Sequence, residues 1–442
     1  MAITVRGVNN AVGQNAGTTI TASTTAITPT GSPVSGDRVF IYQAASNTSG
    51  TTPTSWNVLG TKDTTLGSGA AASGSGLRRA TWYWRDYDGS WSLPSFPLTS
   101  AAQNSHWLGL VILTPSAGAT FNTPTISTVG GAFNTATTAY TDTSAAAFTT
   151  TANGLLLAGT CLNDNVTASA EAVSQSGATF GTVTERCDGG TATGNIVAGN
   201  VVTAPVTVGA AATITLTETL SAASQGETLF VQQTETFAKV DTLTDDFTTI
   251  GSNWSASLYS TDSAKVTNPS GTVRVDHPTT SQYNALGTVK KYDLTDTSFY
   301  ARVVDYGNQS LGSHEVLLFA DDGSGSNRLI WDASGNNLYA IKTVASSKTT
   351  LGGITLNTTT HRYLRIREAS GTVYWDTSPD GTSSSWTNRF SDTTPFNVSA
   401  VNVQMQCGNY ATEASASYAI FDDFNIPGVA APANTGQFFA MF

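Results

Sequence analysis

Residues His361 to Thr387 read HRYLRIREASGTVYWDTSPDGTSSSWT. Leu364 and Ile366 fall on one side and Tyr363, Arg365 and Arg367 on the other, because successive strand side chains face opposite sides. Ala369-Ser370-Gly371 interrupts the run, and Gly371 can take the positive φ of a tight hairpin. Thr372 to Asp376 alternates again, with Val373 and Trp375 on one face. Ser378-Pro379-Asp380-Gly381 has turn chemistry: proline presets φ, aspartate bonds nearby backbone, and glycine supplies the left-handed residue. Trp386 opens the next strand. The pattern predicts a strand–turn–strand–turn–strand unit of a β-sandwich.

Working outward, strand-length apolar runs separated by Gly, Asn and Asp fill the interval between Asp245-Asp246-Phe247 and Asp422-Asp423-Phe424. Strands are predicted near 254–258, 273–276, 298–305, 315–320, 328–333, 337–343, 362–368, 372–378, 401–407 and 416–426. No long helical period competes with them. The tripeptide repeated at both ends suits a jelly roll whose first and last strands lie side by side. The stretch RYLRIRE…GTVYWDTSPDGTSSSWT resembles the lectin-like (concanavalin-like, laminin-G-like) sandwich domains of bacteriophage tail proteins, especially those of phages of actinobacteria. The resemblance spans 244–426 and reaches more weakly into the preceding region. It implies a lectin-like sandwich and a role in virion structure or adhesion.

The expected architecture is all-β: two β-sandwich (jelly-roll, lectin-like) regions, an extended N-terminal arm and a short apolar C-terminal tail. Residues 1–30, with Ile3, Val5, Val8, Ile20 and Ile27 among polar neighbours, read as an arm or a first strand. Residues 31–235 form the N-terminal sandwich region. It carries an internal echo: the runs at 39–42, 79–85 and 107–113 are answered by those at 155–158, 196–202 and 228–231. One sandwich or two related halves both fit. Segment 210–218, a Thr/Ala alternation, reads as a strand that pairs but buries little. Residues 236–243 are a linker, 244–426 the lectin-like sandwich and 427–442 the tail.

Composition narrows the function. At 442 residues the chain is long for one core. Charged residues are 12% against a usual share of about 25%, while 9% aromatics are too many for a disordered chain. A net charge of −11 argues against nucleic acid as a partner and against electrostatic adhesion to anionic membranes. Neutral sugars remain compatible. No apolar run of about 18 residues predicts membrane insertion, and MAITVRGVNNAVGQ lacks a signal-peptide core. That fits a virion protein made in the host cytoplasm. Three cysteines, none in a C-x-x-C pair, indicate neither a zinc site nor a disulfide framework. Whether Cys161 and Cys187 are bridged stays open.

Catalytic chemistry is not evident in the residues. Lectin-fold glycosidases set paired carboxylates on one strand face as E-x-D-x-E, a spacing that Glu315 and Asp321 lack. The four histidines are scattered, and no G-x-S-x-G elbow exists. The expectation is therefore a chain that is not an enzyme and needs no cofactor. Asp321 and Asp322 are weak Ca²⁺ candidates, since their loop misses the D-x-D-x-D-G order. Sugar binding needs flat aromatic faces and hydroxyl partners. Its candidates are Trp82, Trp84, Trp91, Tyr306, Tyr374 and Trp375, with Trp107 and Trp331 behind them, although tryptophan in a sandwich more often fills the core. Phe438, Phe439, Met441 and Phe442 are expected to make assembly contacts, because large apolar side chains are costly to leave in water. The resemblance then implies a minor tail, tail-tip or fibre protein. Its partners would be copies of itself, neighbouring virion proteins and host-envelope glycans. The alternatives are a virion decoration or head-fibre protein and a secreted carbohydrate-binding protein.

Overall fold

The computed structural model describes residues 3–14, 24–46, 56–65, 77–93, 95–97, 105–127, 136–191 and 197–428. Among them every regular element is a β-strand except two single-turn 3-10 helices, Val240–Thr242 and Ser263–Lys265. No helix among the described residues is long and apolar enough to cross a membrane. The protein is all-β and sandwich-like. It divides into two compact units, 1–116 with 120–236, and 117–119 with 237–442.

In the first unit, Thr4–Gln14, Ser105–Thr114, Arg38–Ser46, Leu77–Asp86 and Asn57–Thr65 lie in that order in one antiparallel sheet. The N-terminal segment is thus an edge strand, running from Thr4 opposite Thr114 to Gln14 opposite Ser105. A second sheet is built around Leu155–Leu162, flanked by Ala198–Val208 and Gly226–Gln233. The two sheets meet across Phe40, Tyr42, Trp82, Trp107, Leu157 and Val201. Trp107 lies flat against Gly199, where a Cβ would collide with the indole. The far face of the second sheet is covered by a third, made of Thr137–Thr143, Ile214–Ser224 and Ala168–Gln175. Leu156, Val202, Ile214, Leu216 and Phe230 fill that gap.

A middle sheet covered on both sides accounts for its sequence. Leu155–Leu162, LLLAGTCL, is buried at every position, so it reads as an unbroken apolar run rather than an alternation. The third layer corrects the expectation for 210–218: Ile214 and Leu216 are fully buried. The sequence echo has a topological counterpart. Arg38–Ser46 is flanked by Leu77–Asp86 and Ser105–Thr114, as Leu155–Leu162 is flanked by Ala198–Val208 and Gly226–Gln233. Cys161 and Cys187 are not bridged. They oppose Gly199 and Val201 from opposite sides of one strand. Two strand spacings, roughly 9.5 Å, exceed the Cα span of about 7 Å that a disulfide bridges.

Among the described residues the second unit forms two seven-stranded antiparallel sheets. Between them lie Trp254, Phe299, Trp331, Leu364, Ile366, Val373, Trp375, Phe421 and Phe424. The stretch 361–387 folds as its alternation dictates. Leu364, Ile366, Val373 and Trp375 face the core, and Ala369 pairs with Thr372 across a two-residue turn. Ser370 and Gly371 both take positive φ, 49° and 80°, as the primed hairpin turn requires. Ser378 Oγ accepts from the Gly381 N–H at 2.7 Å, closing the second turn. The two Asp-Asp-Phe tripeptides do meet. Asp245 and Phe424 exchange backbone hydrogen bonds at 3.0 and 2.9 Å, and the Trp254 ring packs on Phe424 at 4.9 Å.

Candidate functional site

One sheet of the second unit runs Trp254–Ser255, Gln282–Thr288, Asn402–Asn409, His314–Asp321, Arg328–Ser334, Asn337–Val344 and Ser347–Thr355. Strand alternation sends Val316, Leu318, Leu329 and Trp331 into the core. It sends Glu315, Leu317, Phe319, Ile330 and Asp332 to the outer face. That face carries its own apolar patch of Leu317, Phe319, Ile330 and Ile341, against which Tyr283 and Tyr339 pack. A groove of about 800 Å³ lies over it.

The register fixes who meets whom. One row across the sheet runs Tyr283, Gly408, Glu315, Ser334. The next runs Gln406, Leu317, Asp332, Tyr339, Gly353. Gly408 has no side chain, so the Tyr283 ring lies across its strand and donates its hydroxyl to Glu315 Oε2 at 2.5 Å. Tyr339 lies likewise over Gly353. Both rings are half-buried, and Tyr410 at the groove is 57% exposed.

Asp332 sits one row from Glu315 on the neighbouring strand, so their backbones are roughly 7–8 Å apart. Burial, then the charge of Glu315, pushes the Asp332 carboxyl up to about 7, with Lys348 pulling the other way. The Lys348 ammonium is 4.0 Å from Asp332 Oδ2, while Asp332 Oδ1 has no partner. Arg328 Nε, in the same groove, also has none. Burial and the bond to Glu315 raise the Tyr283 phenol, which stays a donor. The groove therefore offers tyrosine faces, an unengaged donor, an unengaged acceptor and a carboxyl that holds its proton to near neutrality.

None of the aromatic residues singled out from the sequence lines this groove. Trp82, Trp375 and Tyr306 are corrected to core residues. They are at most 2% exposed, with Trp82 Nε1 donating to Leu229 O, Trp375 Nε1 to Ile330 O and the Tyr306 hydroxyl to His361 O. Trp107 and Trp331 are equally buried. Trp84 lies under the Arg38 guanidinium at 4.1 Å, and Tyr374 under that of Arg367 at 3.6 Å, so each has one face taken. Trp91 is partly buried, packed against Trp56 and Tyr87 and under the Arg85 guanidinium. Asp321 accepts from Gln404 Nε2 and the Gly323 N–H, and Asp322 from Ser324 and Asn327, so both carboxylates serve the hairpin turn. Phe438, Phe439, Met441 and Phe442 lie outside the described residues. Tyr283, Tyr339 and Asp332 were not expected from the sequence. The available signal was Asp332 itself, a lone acid inside the apolar strand LIWDA.

No family model matches the chain, and no curated protein does. Solved structures similar to it include a Bacillus licheniformis β-glucanase, 10% identical with a TM-score of 0.32, covering 41% of this chain and 95% of that one. A legume lectin-like domain from Entamoeba histolytica is 7% identical with a TM-score of 0.29, covering 39% of this chain and 88% of its own. A Bacteroides ovatus xyloglucan PUL GH43B is 14% identical with a TM-score of 0.27, covering 42% of this chain and 39% of its own. The expectation that the chain is not an enzyme is corrected by these comparisons. The β-glucanase among the similar chains is what stands against it.

Proposed function

We propose that the outer face carrying Tyr283, Glu315, Asp332 and Tyr339 binds a neutral carbohydrate chain. We propose further that the protein is a phage virion component, a minor tail or fibre protein that presents this face to host-envelope glycans. The observation that carries the first part is the combination in one groove of tyrosine rings laid over glycines with two buried polar atoms lacking partners, Arg328 Nε and Asp332 Oδ1. Sugar rings stack their apolar faces on such aromatics, and their hydroxyls both donate and accept. A buried polar atom left unpaired costs about 1–3 kcal/mol, which a hydroxyl in the groove relieves. The virion part is supported by the resemblance of residues 361–387. Weak sites repeated on one particle gain avidity without new contacts.

The test is affinity electrophoresis in gels containing a soluble β-glucan, xyloglucan, mannan or arabinogalactan. At least one retards the chain, and a Tyr283→Ala, Tyr339→Ala double variant with an unchanged circular dichroism spectrum runs freely. Absence of retardation in all four gels, or equal retardation of the variant, removes the reading. For the virion part, deletion of Phe438–Phe442 abolishes incorporation into particles, and normal incorporation refutes it.

Asp332 and Glu315 favour a second reading, cleavage of the bound chain. A protonated carboxyl can give its proton to the leaving glycosidic oxygen while a second carboxylate activates the water that attacks the anomeric carbon. Reducing ends then appear with the retarding polysaccharide and disappear in Asp332→Asn, which still binds it.

A further inference from the structure

At one end of the second unit, three side chains from three strands converge between the sheets. His277 ends Val273–His277 in one sheet, while His314 begins His314–Asp321 and Cys407 lies on Asn402–Asn409 in the other. Their exposures are 1%, 0% and 0%. Their donor atoms all lie within 4.8 Å of one another.

The hydrogen count of the two imidazoles is the decisive feature. His277 Nδ1 is 2.7 Å from Pro278 O, and His314 Nε2 is 2.9 Å from Tyr306 O. A carbonyl oxygen only accepts, so each of these nitrogens is the N–H of its ring. The two remaining nitrogens, His277 Nε2 and His314 Nδ1, then face each other at 2.7 Å with lone pairs on both. Three contacts need three cations or protons, and two neutral imidazoles supply two. Something positive belongs between the rings.

We propose that this something is a borderline-soft transition-metal ion of the zinc class, held by His277 Nε2, His314 Nδ1 and the Cys407 thiolate. Imidazole nitrogen with thiolate sulfur is the donor set that such ions take. Each ring's outer N–H donates to a backbone carbonyl, the arrangement that orients metal-ligating histidines. Gln309 adds to the surrounding shell by donating to the same Tyr306 carbonyl at 2.8 Å. Tetrahedral zinc with Zn–N near 2.0–2.1 Å sets its nitrogens roughly 3.3 Å apart, so loading parts the rings by about half an ångström. Among the described residues no further His, Cys, Asp or Glu joins the group. One coordination position is left for a neutral or solvent ligand. Because the ligands come from both sheets, the ion pins the sandwich at that end. The ligands are far apart in sequence, which is why local spacing such as C-x-x-C or H-x-x-x-H gives no sign of them.

The full chain is produced in zinc-supplemented medium, dialysed against metal-free buffer and assayed for zinc by mass spectrometry. A parallel preparation from cobalt-supplemented medium is read for a thiolate-to-cobalt charge-transfer band in the near ultraviolet. Stoichiometric zinc and a charge-transfer band are expected, and Cys407→Ser loses the band and most of the zinc. Folded wild-type chain with little zinc and no band overturns the proposal and assigns the gap to a shared third proton. Zinc without the band, or a Cys407→Ser chain that keeps its zinc, overturns the thiolate ligand. Should Cys407→Ser not fold, the wild-type cobalt spectrum decides alone.

Discussion

Asp332 shows what one residue costs when its neighbours on a sheet face bury it. Its carboxyl rises to about 7 from a reference of 3.8, chiefly through burial. A folded-state carboxyl raised above its unfolded value holds its proton while the unfolded chain has already lost it. Stability therefore falls as pH climbs from about 4 to about 7, by on the order of 1 kcal/mol for each pH step of one, and is level above. Asp332→Asn is accordingly expected to stabilise the chain at pH 8 by on the order of a few kcal/mol and to do little at pH 4. Urea unfolding at the two pH values reads this directly, and an equal effect at both would count against it. Gly408 is the complementary case. A Cβ there runs into the Tyr283 ring and comes 2.7 Å from Gln282 O, so Gly408→Ala must lift the ring away from Glu315. A loss of about 1–3 kcal/mol and weaker polysaccharide retardation are expected. Unchanged retardation would separate the Tyr283 position from binding. Neither site was conspicuous in the sequence. Tryptophan is the more obvious sugar platform, but these indoles are large enough to be needed inside, and the groove uses tyrosines seated on glycines instead.

Elements were legible where apolar and polar residues alternate over one buried face, and obscure where they do not. The 362–368 and 372–378 strands and both their turns follow from alternation and turn chemistry. Ser347–Thr355 does not, because as an outermost strand it is mostly exposed and need not alternate. Gln282–Thr288 was hidden by Asn284 and Gly287, polar or small residues at positions the fold buries. Alternation also left the outer partners of 361–387 undetermined. There Asp376, 1% exposed, accepts from Arg365 at 2.8 Å and Arg367 at 2.9 Å, and Asn388 Nδ2 donates to its other oxygen at 3.0 Å. The Arg365 guanidinium stacks on Trp386 at 4.2 Å, tying the third strand's entry to the first. One carboxylate thus holds three strands in register. Removing it leaves two arginines that turn partly to water, so Asp376→Ala should cost about 2 kcal/mol or more. Denaturant midpoints measure this. A change within about 0.5 kcal/mol, the range of ordinary surface substitutions, would show that the network adds nothing.

For the whole molecule, the all-β class and the sandwich of the second unit were legible because strand periodicity and turn residues repeat along the chain. The three-layer arrangement of the first unit was not. The middle sheet does carry an unbroken apolar run in Leu155–Leu162, but the layer that covers it is made of Thr- and Ser-rich strands that do not read as core. That cover buries polar groups with consequences for the entire chain. Glu218, 3% exposed, accepts from Asn200 at 2.8 Å, and its other oxygen has no partner. Burial lifts its carboxyl to about 8. By the same sign as for Asp332, its contribution is lost as pH rises from about 4.5 through 8. The net charge of −11 adds self-repulsion that also grows with pH. His106 opposes them, since burial lowers it from 6.5 to about 4, but it destabilises the fold only as pH falls below 6.5. Between about pH 8 and about 6.5 the carboxyls act unopposed by it. The midpoint of thermal unfolding should therefore rise as pH is lowered across that window, and the rise should shrink in Glu218→Gln. Scanning calorimetry at the two pH values tests both. An equal or higher midpoint at pH 8 would mean that water reaches Glu218 and Asp332 in the folded chain, and the unpartnered oxygens of both residues would then be hydrated.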